Sequence, residues 1–405
     1  SNYAGVRLNN GISGATSHLT ITDSVITDNT NRGIYISVSN DGLSQVTVTG
    51  TLIQNNGSTG FETNNVAGLT FNNSHLKDNV SYAAYLTLAG NPAPDLTGVT
   101  GEGNTKNGIV LVGSFSTNTT LTYLPNLSYI MVSTWNIENG VTLTIPAGQV
   151  IKAYSSININ GGHLDAQGTV SDPIVFTSIN DHEYGDGTTG TGSPAAGDWY
   201  DIHIYNGGTA VLDHTIIRYG GYGGYGLIDV DATAGSVSLT NSTLEFSRTH
   251  GIYSLTDNTT ILANTISDCG FNGIYISGSS DTNNPEITNN VINDCGSNGI
   301  YMSGGSSGDP IIPIIKNNII NNTNHAIYIV TGSAGMAGER TITGNTGSGS
   351  TYNGIYISGN FASNTTLSAD NGLYWYLGYD ISVLSGATLT LDPGTVVKKT
   401  VDTTS

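Results

Sequence analysis

One short sequence pattern recurs three times between about residue 260 and residue 330, and it constrains the fold more than any other feature of the chain. In each copy, apolar residues lead to an Asn, a turn follows, and a segment of the form Gly-Ile-Tyr-Ile-Ser comes last. The copies read TILANTISDCGFNGIYISGSS, PEITNNVINDCGSNGIYMSGGSS and PIIKNNIINNTNHAIYIVTGS. Self-similarity at a period of roughly 20–50 residues is typical of a solenoid, in which each repeat packs on its neighbours.

The Gly-Ile-Tyr-Ile-Ser segment predicts a half-buried strand. Ile274 and Ile276 alternate with Tyr275, so the isoleucines face one side and the tyrosine faces the other. Related segments recur every 22–28 residues, and a second short strand precedes most of them. Loops absorb such variable spacing, whereas a helical repeat would lose its phase. The sequence therefore predicts an all-β fold, a parallel β-helix (β-solenoid) with coils of about 22–28 residues.

Small polar residues at one corner of successive coils predict a side-chain ladder. Stacked amides and hydroxyls satisfy the polar backbone groups of a buried corner from one coil to the next. We therefore predict a structural role for the series Ser24, Thr51, Ser74, Ser242, Asn264, Asn290 and Asn318.

The composition limits the partners that the chain can have. Its 11 Lys and Arg residues face 30 Asp and Glu residues, which gives a formal net charge of −19. Nucleic acids and anionic membrane surfaces both require a basic footprint, so neither is expected as a partner. No apolar run approaches the roughly 18 residues of a membrane span, so no membrane insertion is expected. Charged residues make up only 10% of the chain, and its 54 glycines suit tight turns between strands.

Two cysteines occupy the same place in consecutive copies of the repeat. Cys269 and Cys295 each precede a Gly and lie four residues before a Gly-Ile-Tyr strand. Coils stacked about 4.8 Å apart bring two such residues within the Cα distance that a disulfide allows. The pair is either a disulfide, which an extracellular location would favour, or two buried thiols in a ladder of corner residues.

A longer period lies over the coils. The segment from Gly140 to Lys152 returns as residues 386–398, an offset of 246 residues. This spacing, here called the tandem offset, also carries Asn118 and the residues after it onto Asn364. We predict that 1–159 and 247–405 are two copies of one tandem unit, and that 160–246, with a long Asp- and Gly-rich loop, occurs once. Neither end resembles a capping repeat, so we expect a longer tandem array or ends covered by neighbouring subunits.

The coils resemble the right-handed parallel β-helix repeats of secreted polysaccharide-active and surface proteins. The stretches GVTLTIPAGQVIK, GHLDAQGTVSDPIVFTS, GDWYDIHI and LDHTIIRYGG are similar to modules of large exported surface proteins of bacteria and archaea. The resemblance implies a right-handed β-helix and a secreted, cell-surface location. It does not select a function, because this fold hosts lyases, hydrolases, epimerases, tailspikes and adhesins.

The resemblance also suggests where catalysis would reside. Pectate-lyase-like enzymes use Ca²⁺ on clustered carboxylates with a basic residue, and galacturonase-like enzymes use neighbouring Asp residues on one strand face. No run of Asp at coil-to-coil spacing accompanies a central Arg or Lys here. The nearest cluster is Asp181, His182, Glu183, Asp186, Asp198, Asp201, His203, Asp213, His214 and Arg218. It is a solvated acidic loop, a cleft for acid–base glycosidic chemistry, or a Ca²⁺ site on Asp181, Asp186 and Asp198.

A stripe of tyrosines is the other candidate site. By strand alternation these rings face outward and stack from coil to coil, as a cross-strand ladder, a subunit interface or a sugar-binding surface. The stripe comprises Tyr35, Tyr85, Tyr253, Tyr275, Tyr301, Tyr328 and Tyr356. Among many Asn-x-Ser/Thr sequons, Asn118 and Asn364 lie on predicted outward loops and are the favoured glycosylation sites.

These observations favour a non-catalytic structural role. We expect an extracellular β-solenoid of a surface, adhesin or filament protein, without catalytic residues, whose partners are copies of itself, end-to-end or lateral, and surface glycans. A tandem unit adds length with each copy, which a fibre needs and an enzyme does not. The alternatives are a polysaccharide lyase, hydrolase or epimerase with a cleft near residues 180–218, and a carbohydrate-binding β-helix that uses the tyrosine stripe.

Overall fold

The structure is a computed structural model that describes residues 3–11, 16–38, 44–64, 66, 68–88, 93–185, 189–256, 258–278, 285–304, 311–339, 341–378 and 380–399. Within these residues the chain is an all-β, right-handed parallel β-solenoid of about 14 turns without helices, which confirms the predicted fold class. It divides into two compact units, Ser1–Tyr200 with His214–Ile216 and Asp201–Asp213 with Ile217–Ser405. None of the described residues forms a helix that could span a membrane.

Short strands build each coil of the first unit. They pair in parallel in the orders β1-β4-β7-β10-β12-β15-β18-β21, β11-β9-β6-β3, β13-β16-β19, β14-β17-β20 and β2-β5-β8. Their bounds are β1 (Ala4–Asn10), β2 (His18–Thr22), β3 (Val25–Thr27), β4 (Arg32–Val38), β5 (Gln45–Thr49), β6 (Leu52–Gln54), β7 (Phe61–Asn64), β8 (Gly68–Asn72), β9 (His75–Lys77), β10 (Tyr82–Thr87), β11 (Thr100–Glu102), β12 (Lys106–Val112), β13 (Ser114–Phe115), β14 (Thr119–Thr120), β15 (Ser128–Met131), β16 (Trp135–Ile137), β17 (Thr142–Ile145), β18 (Val150–Ala153), β19 (Ile157–Asn160), β20 (His163–Gln167) and β21 (Ile174–Ser178).

The second unit is built in the same way. Its parallel orders are β22-β25-β28-β31-β34-β37-β41-β43-β46, β23-β26-β29-β32-β35-β39, β27-β30-β33-β36-β40 and β38-β42-β44, with β45 also on β42. The bounds are β22 (Ile202–Tyr205), β23 (Thr209–Asp213), β24 (Thr215–Arg218, whose first two residues belong to the first unit), β25 (Gly226–Val230), β26 (Val237–Thr240), β27 (Thr243–Glu245), β28 (His250–Ser254), β29 (Thr259–Leu262), β30 (Thr265–Ser267), β31 (Ile274–Ser277), β32 (Glu286–Thr288), β33 (Val291–Asn293), β34 (Ile300–Gly304), β35 (Ile314–Lys316), β36 (Ile319–Asn321), β37 (His325–Thr331), β38 (Met336–Glu339), β39 (Ile342–Thr343), β40 (Thr346–Ser348), β41 (Tyr352–Ser358), β42 (Asn360–Leu367), β43 (Tyr374–Leu377), β44 (Ser382–Val383), β45 (Leu389–Leu391) and β46 (Val397–Lys399).

The alternation of the repeated strand divides core from surface. In β31, Ile274 and Ile276 are buried while Tyr275 is half-buried on the opposite face. Ile274 pairs in register with Ile300 on the next coil. Stacked isoleucines therefore fill the interior of successive coils, and each fully buried side chain contributes about 1.5–3 kcal/mol to the free energy of unfolding.

The asparagine ladder forms at one corner of the second unit. The amide Nδ2 of Asn264 donates to Oδ1 of Asn290 at 3.0 Å, and Nδ2 of Asn290 donates to Oδ1 of Asn318 at 3.0 Å. Oδ1 of Asn290 also accepts the backbone N–H of Asn264 at 2.9 Å, while its Nδ2 donates to the carbonyl of Ile261 at 2.9 Å. All the hydrogen-bonding groups of this buried amide are thereby used along the axis of the unit.

The first unit contains a second asparagine ladder, which was not predicted from the sequence. Nδ2 of Asn56 donates to Oδ1 of Asn79 at 2.9 Å, and Asn79 donates in the same way to Asn104 at 2.8 Å. Each of these residues follows one with a positive φ, which bends the chain at the corner. Among the predicted ladder hydroxyls, Oγ of Ser74 accepts the backbone N–H of Thr51 at 3.1 Å.

Equivalent hydrogen bonds occur at positions related by the tandem offset. Oδ1 of Asn118 accepts the backbone N–H of Thr142 at 2.9 Å, and Oδ1 of Asn364 accepts that of Thr388 at 3.0 Å. Asn118 and Asn364 are both exposed, and their glycosylation stays a prediction. The boundaries 1–159, 160–246 and 247–405 also stay predictions, although the two segments share these local contacts.

One of the shared contacts persists although the side chain has changed. The hydroxyl of Tyr129 donates to the carbonyl of Thr122 at 2.9 Å. At the positions related to these by the tandem offset, the indole Nε1 of Trp375 donates to the carbonyl of Ser368 at 2.9 Å. Two different aromatic residues thus close the same bend.

We predict that replacing Asn290 with Ala lowers the free energy of unfolding by about 2–4 kcal/mol, because it leaves the buried partners on both neighbouring coils without hydrogen bonds. Urea unfolding followed by circular dichroism measures the change. Asn324→Ala, an exposed position in the same unit, is the control and should shift stability by less than about 0.5 kcal/mol. Equal effects of the two substitutions would contradict a ladder that stabilises the coil.

Candidate functional site

Five tyrosines form a continuous stack in the second unit, here called the tyrosine row. They occupy paired positions on β28, β31, β34, β37 and β41. Successive ring centroids lie 4.8, 4.9, 5.6 and 4.4 Å apart, with interplanar angles of 6°, 3°, 9° and 8°. Each interior ring therefore has a neighbouring ring on both faces. The members of the row are Tyr253, Tyr275, Tyr301, Tyr328 and Tyr356.

The predicted seven-tyrosine stripe was wrong for its first two members. Tyr35 and Tyr85 lie on β4 and β10 in the first unit, and Glu62 occupies the paired position between them. The Glu62 carboxylate accepts a 2.5 Å hydrogen bond from Nε of Arg32, in an ion pair. A charged residue on the intervening coil keeps Tyr35 and Tyr85 from stacking.

Two histidines pack against the tyrosine row. The ring of His250 lies 5.2 Å from that of Tyr275, and the ring of His325 lies 4.9 Å from that of Tyr328. Burial lowers the pKa of each histidine to about 4, so both imidazole rings are uncharged at pH 7. Burial and the neighbouring Tyr356 raise the pKa of Tyr328 to about 12, which keeps its hydroxyl protonated.

A His–Asp pair precedes the tyrosine row at the equivalent positions of β22 and β25. His203 pairs with Asp229, and Asp229 pairs with Tyr253, the first ring of the row. Nε2 of His203 lies 3.6 Å from Oδ2 of Asp229, which is only 4% exposed. His203 and Asp229 therefore occupy, on the two preceding coils, the same strand position that the tyrosines occupy on the coils of the row.

The environment of Asp229 shifts its titration toward neutrality. Burial, followed by the charges of Asp201 and Asp231, raises the pKa of Asp229 from 3.8 to about 7. Burial lowers the pKa of His203 and outweighs the opposing attraction of Asp231. Near pH 7 the imidazole is neutral and the carboxyl is partly protonated. A carboxyl group of this kind is suited to proton transfer as a general acid or base.

Asp201 and His203 belong to the predicted acidic cluster, whereas Asp229 and Asp231 were missed. The available signal was the segment Leu-Ile-Asp-Val-Asp at 227–231, in which a carboxylate interrupts an apolar strand. Aligning this strand with the one at Tyr253 would have placed Asp229 at the tyrosine position.

Two of the carboxylates considered for Ca²⁺ accept hydrogen bonds from hydroxyl groups at the end of β21 and from backbone N–H groups of the loop that follows it. Oδ2 of Asp181 accepts a 2.6 Å hydrogen bond from Thr177, and Oδ2 of Asp198 accepts a 2.5 Å hydrogen bond from Ser178. Asp186 lies outside the described residues. Among the described residues, no group of three or more His, Cys, Asp or Glu side chains is arranged to hold a metal ion.

Asp213 and Arg218, from the same acidic cluster, make coil-to-coil contacts within the second unit. Oδ1 of Asp213 accepts hydrogen bonds from Thr240 at 2.6 Å and from Asn241 at 2.8 Å. Nε of Arg218 lies 3.2 Å from the carboxylate of Glu245. Each of these contacts links a residue to the following coil, as the asparagine ladder does.

Cys269 and Cys295 are both buried and both free thiols, so the disulfide considered from the sequence is not formed in this structure. Each follows an aspartate with positive φ, Asp268 or Asp294, at a corner of the coil. A hydrogen bond between the two thiols, together with burial, raises the pKa of Cys269 and keeps it protonated. Each thiol also donates to a backbone carbonyl two residues earlier, Cys269 to Ser267 at 3.5 Å and Cys295 to Asn293 at 3.4 Å.

The paired strands, stacked corners and buried isoleucines define a right-handed parallel β-solenoid. The family model described as right handed beta helix region matches residues 1–123 and 183–346, and the model described as pectate-lyase like beta helix domain matches residues 113–222. The chain belongs to the right-handed β-helix family. Such domains occur in structural proteins and in pectate-lyase-like enzymes, so membership does not choose between these roles. Comparison with curated proteins and with solved structures gave no match.

We predict that Asp229→Asn stabilises the protein at pH 8 but not at pH 4. Because the folded state raises the pKa of Asp229 from 3.8 to about 7, folding favours the protonated form, and the wild type loses stability as the pH rises through this interval. The variant should gain about 2–4 kcal/mol above pH 7. Urea unfolding between pH 4 and pH 8 measures the gain. Asp268→Asn, at an exposed corner, is the control, and a pH-independent effect of Asp229→Asn would contradict the prediction.

Proposed function

We propose that the chain is a non-catalytic structural β-solenoid segment of an extracellular surface, adhesin or filament protein. The observation that carries this proposal is the tyrosine row, whose rings stack on one another at 4.4–5.6 Å. A sugar that binds through an aromatic residue lies against the ring face, and here the interior faces are already covered. The row favours a ladder that links coils over a surface for sugar stacking.

The asparagine ladders support the same role. The contact of Asn264 with Asn290 repeats between Asn290 and Asn318, at the same donor–acceptor distance of 3.0 Å. Each further coil therefore adds the same stabilising contacts and extends the solenoid without new chemistry. The hydrogen bonds that recur at Asn118 and Asn364 support a tandem unit that repeats this architecture.

Electron microscopy of the native material tests the structural role. We expect continuous fibres or ordered surface arrays, built from copies of the chain end-to-end or side by side. Sedimentation velocity of the purified chain, over a range of protein concentrations, provides the matching measurement in solution. Isolated short particles by both methods would contradict the proposal.

A second candidate function rests on Asp229 and His203. A buried carboxyl group that titrates near neutrality costs stability, and such costs are often retained at functional sites. The pair would then act as a general acid–base group of a polysaccharide lyase, hydrolase or epimerase. Turnover of a polysaccharide by the purified chain, reduced about 100-fold or more by Asp229→Asn but not by Asp213→Asn, would establish this function and overturn the structural one.

We predict that Tyr301→Ala lowers the free energy of unfolding by about 2 kcal/mol, because it removes an interior ring from the row and opens a gap between two coils. Thermal unfolding and a glycan array should be measured on the same preparation. Tyr154→Ala, at a 62% exposed position, is the control and should leave stability unchanged. Loss of glycan binding in Tyr301→Ala without loss of stability would instead identify a carbohydrate-binding surface.

A further inference from the structure

An open cleft in the second unit, here called the Arg248 socket, is formed by residues of consecutive coils. The backbone N–H of Arg248 donates to the carbonyl of Gly220 at 3.0 Å, and that of Phe271 donates to the carbonyl of Thr249 at 2.8 Å, so the contributing coils are hydrogen-bonded to one another. The cleft has a volume of about 400 Å³. Its lining residues are Tyr222, Gly223, Gly224, Arg248, Thr249 and Phe271.

Two aromatic side chains of the socket are exposed to solvent. Tyr222 is 44% exposed and Phe271 is 52% exposed. The ring of His250 lies 5.6 Å from that of Phe271 and supports it on one side. At Gly224, which has a φ of 104°, no atom lies within 4 Å of the place where a Cβ would be, so the cleft is open there. Aromatic residues that stay exposed around a cleft are typical of an interaction surface.

Arg248 gives the socket a positive charge. Its guanidinium is exposed and has no carboxylate partner among the described residues, whereas Arg32 and Arg218 are each paired with a glutamate. The Cζ of Arg248 lies 5.3 Å from the ring centroid of Tyr222. Arginine and aromatic residues together dominate the binding energy of many protein interfaces. In a chain with a formal net charge of −19, an arginine that lacks a carboxylate partner favours an acidic surface as its partner.

A turn of the first unit, here called the Val170 tip, has the complementary features. Val170 is 87% exposed, more than any other large apolar side chain in the described part of the chain. Asp172 follows two residues later, is exposed, and forms no ion pair with a described residue. Hydrogen bonds fix the turn, because the backbone N–H of Thr169 donates to the carbonyl of Asp172 at 3.1 Å and the Ser171 hydroxyl donates to its Oδ2 at 2.6 Å. An apolar side chain is thus presented beside a carboxylate.

The tip and the socket match in chemistry, and neither is covered by its own chain. The exposure of Val170 and of Phe271 shows that the two do not meet within one molecule. A contact between them therefore requires two copies of the chain. Because the two surfaces differ, the contact is heterologous, and each copy that joins still carries a free tip or a free socket.

We propose that the Val170 tip of one copy docks into the Arg248 socket of a second copy. Val170 packs against Tyr222 and Phe271, and the Asp172 carboxylate pairs with the Arg248 guanidinium. This inference rests on the proposed structural function and specifies how the copies join. A heterologous contact that does not close into a ring repeats from copy to copy and builds an open fibre.

Sedimentation velocity of the full chain over a range of protein concentrations tests the docking. We expect the wild type to assemble progressively, and Val170→Asp or Arg248→Glu to weaken self-association about 10-fold or more. The first variant places a charge against the aromatic rings, and the second brings two carboxylates together. Val80→Asp and Arg7→Glu, at exposed positions of the first unit, are the matched controls and should assemble like the wild type. Circular dichroism checks that every variant is folded.

An equimolar mixture of the two variants distinguishes this contact from other contacts between copies. Val170→Asp keeps an intact socket and Arg248→Glu keeps an intact tip, so the mixture should form one-to-one pairs that grow no further. A mixture that stays monomeric while the wild type assembles would overturn the docking. A mixture that forms larger assemblies would also overturn it, because other contacts would then join the copies.

Asp172→Asn tests the ion pair without an added charge in the socket. The amide keeps the size of the side chain, so the turn should persist, and loss of the charge should weaken self-association about 3-fold. Unchanged association in this variant would overturn the pairing of Asp172 with Arg248.

Failure of the docking can be told apart from failure of the structural role. Wild-type assembly that Val170→Asp and Arg248→Glu both leave unchanged would overturn the docking alone, because the copies would then join elsewhere. A wild type that is monomeric at every concentration would overturn both. Binding of trigalacturonate to a monomeric wild type, lost in Arg248→Glu, would assign the socket to an acidic glycan. One-to-one pairs formed by a chain that also turns over a polysaccharide would overturn the structural role alone.

Discussion

The structure depends on hydrogen bonds that run from coil to coil at the corners. A strand can satisfy its backbone on the neighbouring strand, but a buried corner has no such partner unless a side chain provides one. Asn290 does so with both hydrogens and both lone pairs of its amide, and binds the coils on either side. Once these corners are fixed in register, the isoleucines of successive strands stack in the interior. The tyrosines then stack on the outer face as a consequence of the same register.

This order of dependence explains what the sequence could predict. Strand alternation is local, so Ile274 and Ile276 could be assigned to the core from a five-residue segment. The Asn264 corner could be predicted because three copies repeat it. The Asn56 corner was missed because the residues around it vary from coil to coil in the first unit. A ladder is visible in a sequence only where its flanking residues also repeat.

The candidate sites depend on strand register and burial, which the sequence pattern alone does not give. The tyrosine stripe was assembled from one motif, but Tyr35 and Tyr85 are separated by Glu62 once register is known. Asp229 was missed because it shares no sequence motif with the residues near it. His203 and Asp201 lie one coil away and come close to Asp229 only in the folded solenoid. Its raised pKa arises from burial together with charges on nearby residues, and burial is a property of the packed solenoid.

The two segments related by the tandem offset show which features of this fold are constrained and which are free to change. Tyr129 donates to the carbonyl of Thr122, and Trp375 donates to the carbonyl of Ser368 at the equivalent place. The hydrogen bond is kept although the donor differs, because the bend needs a side chain that donates to this carbonyl. By contrast, Ser128 pairs with Gly108 and Tyr374 pairs with Gly354 at the equivalent place, although the two side chains differ greatly in size. The corner ladders therefore hold the backbone constant, and side chains outside the ladders vary without disturbing it.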